Sequence, residues 1–232
     1  MTIDEIGRKQ ATYYGRLLSI HGPGIDAVAS GRMEYKWLRY EQLCDVVGDE
    51  VEFSLHDVGF GLGHLRDYIS HRFCDRVVAW SGSEVTREFV DQVLDGEPEA
   101  LVAYRDLSTA MGTDRHDYMI LAGTFYHLAG TEPDEFIGFM EAMLTNCWEM
   151  CRKGLAFNVI TDSVDYRRDD LFYPDFGSVI GIVRRLTRFF EIDHATPLYE
   201  YTIRMYRDSA VAHTYPDPQF DKYLRRASTK AE

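Results

Sequence analysis

The sequence predicts an α/β fold, a doubly wound sheet that ends in an antiparallel hairpin. Three observations predict it. Strand patterns alternate with helix patterns from residue 51 onward, which implies a mostly parallel sheet covered on both faces. A turn with glycines at every second position, DVGFGLG (57–63), separates one such strand from one such helix. The last two strand patterns are separated only by ATPL (195–198), too short for a helical crossover, so they must pair antiparallel.

Taken in order, residues 3–20 place Ile6, Tyr13, Tyr14, Leu17 and Leu18 near helical spacing. HGPGIDAVASG (21–31) is a turn-rich connection, and MEYKWLRYEQLCDVV (33–47) resumes an amphipathic helix. VEFSLHDV (51–58) reads as a strand and LRDYISHRF (65–73) as a helix; RVVAWSG (76–82) is a strand, and TREFVDQVLDG (86–96) a helix ended by Gly96. ALVAYRD (100–106) and HDYMILAG (116–123) are strands, the second apolar enough for burial. A long helix is expected over 133–154, with Pro133 at its start and Gly154 at its end. LAFNVIT (155–161) is a strand, GSVIGIVRRLTRFF (177–190) a helix, and FEIDHA and YEYTIRMYR close the sheet. The expected organisation is a helical cap at 1–48, an α/β core at 49–209 with a polar loop near 161–175, and a loosely held polar tail at 210–232.

A chain of 232 residues with 45% hydrophobic and 27% charged residues is long enough for one well-cored domain. The net charge of −13 argues against a nucleic-acid partner. The densest cationic groups, Arg184 with Arg185 and Arg188, and Arg225 with Arg226, read as solvated surface. No segment has the run of roughly 18 apolar residues that a membrane span needs, and the polar N-terminus is unlike a signal peptide. Cys44, Cys74, Cys147 and Cys151 contain no CxxC; Cys147 and Cys151 share a helical face in this pattern, and buried, reduced thiols are expected. A cytoplasmic protein is the expectation, and a homo-oligomer stays open.

The chemistry concentrates at strand ends, where ligands of a doubly wound sheet sit. The glycines of DVGFGLG are spaced G-x-G-x-G, one residue short of the dinucleotide pattern G-x-G-x-x-G. Glu84 ends the next strand, where a carboxylate can accept from both ribose hydroxyls. Asp106 follows the third strand and can accept from an adenine amino group. Singly, each is an ordinary surface acid; together, Asp57, Glu84 and Asp106 mark the ends of three successive strands.

With these motifs the chain resembles the class I methyltransferases that use S-adenosyl-L-methionine (SAM) and release S-adenosyl-L-homocysteine. The resemblance spans roughly residues 10–207 and rests on DVGFGLG, SGSEVT, YRDL, HDYMILAGTFYHL and CRKGLAFNVIT. HGPGIDAVASG, WLRYEQL, VDYRRDDLFY and PLYEYTIRMYR are similar to a bacterial small-molecule methyltransferase subgroup. It implies a seven-stranded Rossmann-like sheet with N-terminal helices, Tyr14 among their residues, capping the cofactor. It further implies that Gly59, Gly61 and the backbone after Asp57 run beside the methionine part, that Glu84 holds the ribose, and that Val85 lies on the adenine. Asp106 and Leu107 would flank the adenine amino group, and Ala122 and Gly123 the sulfonium. Arg39 resembles a position that pairs with the cofactor carboxylate, with a helix-surface arginine as the alternative. Phe60 stands where a small residue is common, Glu84 where Asp is, and Ser83 where an apolar residue is.

The acceptor, a small molecule methylated at oxygen, nitrogen or activated carbon, is expected beside Tyr126 and His127. Histidine is the side chain best suited to take a proton near neutral pH; packing or helix capping is its alternative role. Tyr13, Tyr14 and His21 come from the covering segment, and Tyr166 from the polar loop. No required metal is expected, since Asp162 and Asp165 alone make a poor site. Two other readings stay open: a protein of this fold that has lost catalysis and serves in binding or assembly, and an NAD-dependent oxidoreductase, which the glycine spacing and hairpin disfavour.

Overall fold

The computed structural model describes residues 1–224. Two helices, α1 (Ile3–His21) and α2 (Met33–Cys44), precede the sheet. A capping box starts α1: the Thr2 hydroxyl accepts from the Glu5 amide at 3.2 Å, and the Glu5 carboxylate accepts from the Thr2 amide at 2.7 Å. The strands are β1 (Glu52–Val58), β2 (Val77–Glu84), β3 (Val102–Tyr104), β4 (His116–Leu121), β5 (Cys151–Ile160), β6 (Phe190–Asp193) and β7 (Glu200–Tyr206). Between and after them run α3 (His64–Arg72), α4 (Arg87–Gly96), α5 (Pro133–Met150), α6 (Phe176–Leu186) and α7 (Asp208–Thr214).

The seven strands form one sheet in the order β3-β2-β1-β4-β5-β7-β6. The β1, β2, β3, β4 and β5 pairings are parallel, whereas β7 runs antiparallel to both β5 and β6. The expected closing hairpin is present, with Phe190 opposite Met205 and Asp193 opposite Thr202. Strand order reverses between β1 and β4, which opens a crevice at their C-terminal ends.

Alternation along the central strands feeds two cores. Met119 and Leu121 of β4, with Leu155, Phe157 and Val159 of β5, join the α5 and α6 side chains on one face. Tyr118, Ile120 and Ala156 join the α2 and α3 side chains on the other. This double coverage is why both strands read as continuous apolar runs.

The structure corrects the expected helix over 133–154. Helix α5 ends at Met150 and passes into β5 at Cys151 without a loop, so Cys147 and Cys151 share no helical face. Gly154 is not a helix terminator. It lies in β5, where an added Cβ would stand 2.8 Å from Val46 Cγ2, so the glycine lets the turn after α2 close on the sheet. Likewise α6 stops at Leu186, because extended Thr187 donates its hydroxyl to the Tyr206 carbonyl at 2.9 Å. Three cysteines are buried, but Cys74 is exposed.

Of the tail expected from 210, the structure describes residues 210–224. Helix α7 covers its start, a 3-10 turn follows over Pro218–Tyr223, and Tyr215, Phe220 and Leu224 gather with Phe189 and Val211. Arg225 and Arg226 lie outside the described residues. Arg184 and Arg185 are exposed on α6, and Arg185 pairs with Glu141 at 2.6 Å. Among the described residues no helix is long and apolar enough to cross a membrane.

Candidate cofactor and acceptor site

Strand β1 ends in the glycine turn, where Gly59, Gly61 and Gly63 all adopt positive φ, between 56° and 79°. The Gly59 amide donates to the Ser83 carbonyl at 2.8 Å, which ties the turn to the end of β2. A Cβ on Gly61 would stand 2.9 Å from Val28 Cγ1, so the connection between α1 and α2 rests directly on the turn. Phe60 is buried, and its ring meets Trp80 edge-on at 6.3 Å.

Glu84 is buried at the end of β2. One carboxylate oxygen accepts from the Gly61 amide at 3.0 Å, the other from the Val85 and Thr86 amides at 2.8 and 3.0 Å. Burial raises its pKa, and these amides oppose the rise. An ionised carboxylate offers about four acceptor positions, so acceptor capacity remains. Asp57, at the mouth of β1, is also buried, and its Oδ2 has no partner among the described residues. Burial pushes its carboxyl up to about 8, although Lys36 opposes this. Lys36 is 8% exposed, its Nζ 3.0 Å from His64 Nδ1, and burial pushes its amine down to about 8.

Asp106 follows β3. Its Oδ1 accepts from the amide and hydroxyl of Ser108 at 2.8 and 2.6 Å, while Oδ2 is so near Gly7 of α1 that a Cβ there would clash. Beyond β4, the Gly123 amide donates to Asn158 Oδ1 at 2.8 Å. Arg39 of α2 lies 5.0 Å over the Tyr126 ring and donates from Nε to both oxygens of Glu200, at 3.0 and 3.1 Å. Asn158 Nδ2 donates to Glu200 at 3.1 Å and to the Tyr126 hydroxyl.

His127 closes the far wall. Its Nδ1 is 3.0 Å from the Tyr13 hydroxyl and 3.6 Å from Asp170 Oδ2, while the Tyr13 ring stacks on it at 5.1 Å. Both polar contacts use Nδ1, which leaves Nε2 for the cavity. Burial lowers its pKa and Asp170 raises it, so a neutral imidazole prevails near pH 7. The polar loop is stitched alongside: His127 bridges Leu171, and the Phe172 amide donates to the Tyr126 carbonyl at 2.8 Å.

One cavity is lined by Tyr14, Arg39, Asp57, Gly59, Gly61, Glu84, Val85, Asp106, Leu107, Ala122, Gly123, Tyr126 and His127. Tyr166 is not among them. It is 70% exposed on the loop, because the stitched part of that loop is residues 170–172 rather than 166. His21 is exposed at the end of α1, and Tyr13 stands behind His127. Sequence reasoning missed Gln10, Lys36, Asn158, Asp170 and Glu200. Lys36 and Gln10 had a signal, since each shares a helix face with an expected site residue, Arg39 three residues on and Tyr14 four residues on; the other three come from distant segments. Among the described residues no group of three or more His, Cys, Asp or Glu side chains could hold a metal ion.

The residues present fit SAM. Glu84 has one acceptor position left for a ribose hydroxyl, the orphaned Asp57 Oδ2 suits an ammonium group, and the terminal nitrogens of Arg39 suit a carboxylate. A glycine turn at the sheet's reversal point, followed by an acid on the next strand, defines an α/β enzyme that binds a nucleoside cofactor. No family model matches the chain. It is 30% identical over 158 residues to the protein named Putative methyltransferase Rv1506c of Mycobacterium tuberculosis, covering 65% of this chain and 91% of that one. The chain belongs to the class I SAM-dependent methyltransferases. Solved structures share its fold at 12% identity. SAM-bound magnesium protoporphyrin IX methyltransferase of Synechocystis PCC 6803 has a TM-score of 0.60 over 87% of this chain and 96% of that one. The DhpI–SAM–HEP complex has 0.62 over 86% and 97%. N-methyltransferase NodS of Bradyrhizobium japonicum WM9, with S-adenosylhomocysteine, has 0.61 over 85% and 98%.

Proposed function

We propose that this methyltransferase acts on a small-molecule acceptor at oxygen, nitrogen or activated carbon, by in-line displacement with His127 as base. The observation that carries the reading is that the glycine turn, Glu84 and the Tyr126–His127 pair open on one cavity. Bound SAM supplies an activated methyl group on a sulfonium. The acceptor's lone pair forms the new bond to the methyl carbon, the carbon–sulfur pair goes to sulfur, and S-adenosylhomocysteine leaves. Neutral His127 takes the acceptor's proton at Nε2, while Tyr13 and Asp170 hold Nδ1. Alignment supplies the larger share of the rate, and the base adds about 10²–10⁴-fold where a proton must be lost.

In this reading Glu84 binds the ribose, Val85 lies on the adenine, and Asp106 with Leu107 flanks the adenine amino group. Asp57 faces the methionine ammonium, Arg39 the carboxylate, and Ala122 with Gly123 the sulfonium. A charge of −13 favours a small acceptor over a nucleic acid, and the buried free thiols suit a reducing cytoplasm. Isothermal titration with SAM and S-adenosylhomocysteine tests the reading, with NADH as the control. Micromolar binding of the first two is expected, and no binding at millimolar concentration rejects it. Incubation with SAM and a metabolite extract then detects the methylated product; cofactor binding without any product would instead support the non-catalytic reading.

A further inference from the structure

Helix α2 alone does not fix where Arg39 points. Both of its hydrogen bonds use Nε and end on Glu200, which stands at the first position of β7 and is 5% exposed. Nη1 lies on the Gly123 side, 3.9 Å from where a Cβ of that glycine would be. Holding an arginine through Nε leaves its two terminal nitrogens as a fork for a second carboxylate. Asn158, fully buried on β5, locks the arrangement: its Oδ1 accepts from the Gly123 amide and its Nδ2 donates to Glu200 and the Tyr126 hydroxyl. Both N–H donors of this amide and one of the two lone pairs on its oxygen are used. A buried ion pair is weak as a stability device, because desolvation offsets much of its attraction. The network gains a purpose if it serves a ligand.

We propose that Glu200 and Asn158 are positioning residues for the amino-acid end of the cofactor. They act through Arg39 and the Gly123 amide, and they make the site distinguish an intact cofactor from its bare nucleoside. This rests on the reading of Arg39 as the carboxylate partner. Two strands of the hairpin side, β5 and β7, thereby belong to cofactor recognition as much as the glycine turn does.

The test compares two neutral thioethers by titration calorimetry: S-adenosylhomocysteine, which has the amino-acid end, and 5′-methylthioadenosine, which lacks it. Glu200→Gln is expected to weaken S-adenosylhomocysteine about tenfold or more, as loss of a charged hydrogen-bond partner should. Affinity for methylthioadenosine should change less than about twofold. Glu200→Asp, which keeps the charge and so guards against misfolding, should fall between. In an Arg39→Gln background, Glu200→Gln should add little, since both act on one contact. Equal weakening of both ligands, or no weakening of either, overturns the proposal. Should Arg39→Gln leave discrimination between the ligands intact while Glu200→Gln abolishes it, the Arg39 reading fails and the proposal falls with it. No binding of S-adenosylhomocysteine by the parent protein would instead strike the cofactor reading itself.

Discussion

The Phe60 ring lies over the α-carbon of Gly82, so close that a Cβ there would stand 2.7 Å from Phe60 Cδ1. The bulky residue in the turn and the glycine in the neighbouring strand are therefore one packing unit. Gly82→Ala should destabilise the protein by about 1–3 kcal/mol through overpacking. Phe60→Ala should cost about 3–5 kcal/mol through the cavity it leaves. Urea unfolding of the double variant should show less than the sum of the two losses, since the alanine methyl fills space the ring vacates. Strict additivity would show that the two do not share that space.

In the proposed reading, Glu84 is the residue on which nucleoside binding should depend most. Its replacement by alanine removes a charged acceptor that a ribose hydroxyl would use, a bond contributing about 1.5–3 kcal/mol. S-adenosylhomocysteine affinity should fall about 100-fold in a calorimetric titration. Tyr166→Phe should leave that affinity unchanged, as its side chain stands in solvent. An unaltered affinity in the Glu84 variant would remove Glu84 from the site.

Asp57 couples stability and binding in opposite senses. Its carboxyl is pushed up to about 8 in the fold, against an ordinary value near 3.8. The native state therefore holds a proton that the unfolded chain has lost, and stability falls as pH rises through that interval. Asp57→Asn mimics the protonated form. Its melting temperature relative to the parent's should rise as pH goes from about 4 to 8 and level off above that. The same variant should bind S-adenosylhomocysteine more weakly, because an ammonium held there would draw off the Asp57 proton and the asparagine cannot supply that carboxylate. A gap constant across pH would show that Asp57 ionises normally.

His56 has the reverse sign. It is buried within the sheet between Ser81 and Ser83, 2.8 and 3.0 Å from their hydroxyls, and stacks on His116 at 4.4 Å. Burial, with His116 adding to it, pushes its pKa down to about 3. Below pH 6.5 the unfolded chain takes up a proton that the native state refuses, so stability drops with acidification by up to about 1.4 kcal/mol per pH unit. His56→Gln should be less stable than the parent at pH 8, and the difference should shrink between pH 6.5 and 4. Parallel melting curves across that range would contradict this.

Features of the site that were legible in the sequence are local to one strand end. The glycine turn, Glu84, Asp106 and the Tyr126–His127 pair each announce themselves within a few residues, and the β-α alternation brings those ends together. What was hidden depends on distant partners. Phe60 and Ser83 look like separate departures at the turn, yet one is matched by Gly82 and the other by His56. Glu200 lies 161 residues from Arg39 in sequence, and within YEYTIRMYR it reads as ordinary strand polarity. Gly154 misled the helix boundary because a glycine required for close approach resembles one that terminates a helix. Asp170 reaches His127 only through loop pairing that no periodicity encodes.

The reversed direction of β7 brings residues made late in synthesis to the C-terminal ends of the parallel strands. Because that strand points against its neighbours, its first residue, Glu200, arrives at the edge where β4 and β5 finish. A chain leaving the ribosome has residues 57–84 available for the nucleoside long before residue 200 exists. If Glu200 positions Arg39 as proposed, the amino-acid half of the site cannot be complete until the last hairpin has been made. On that reading, a chain ending before residue 200 would lack the amino-acid half of the site, and full-affinity capture of the cofactor would require the finished hairpin.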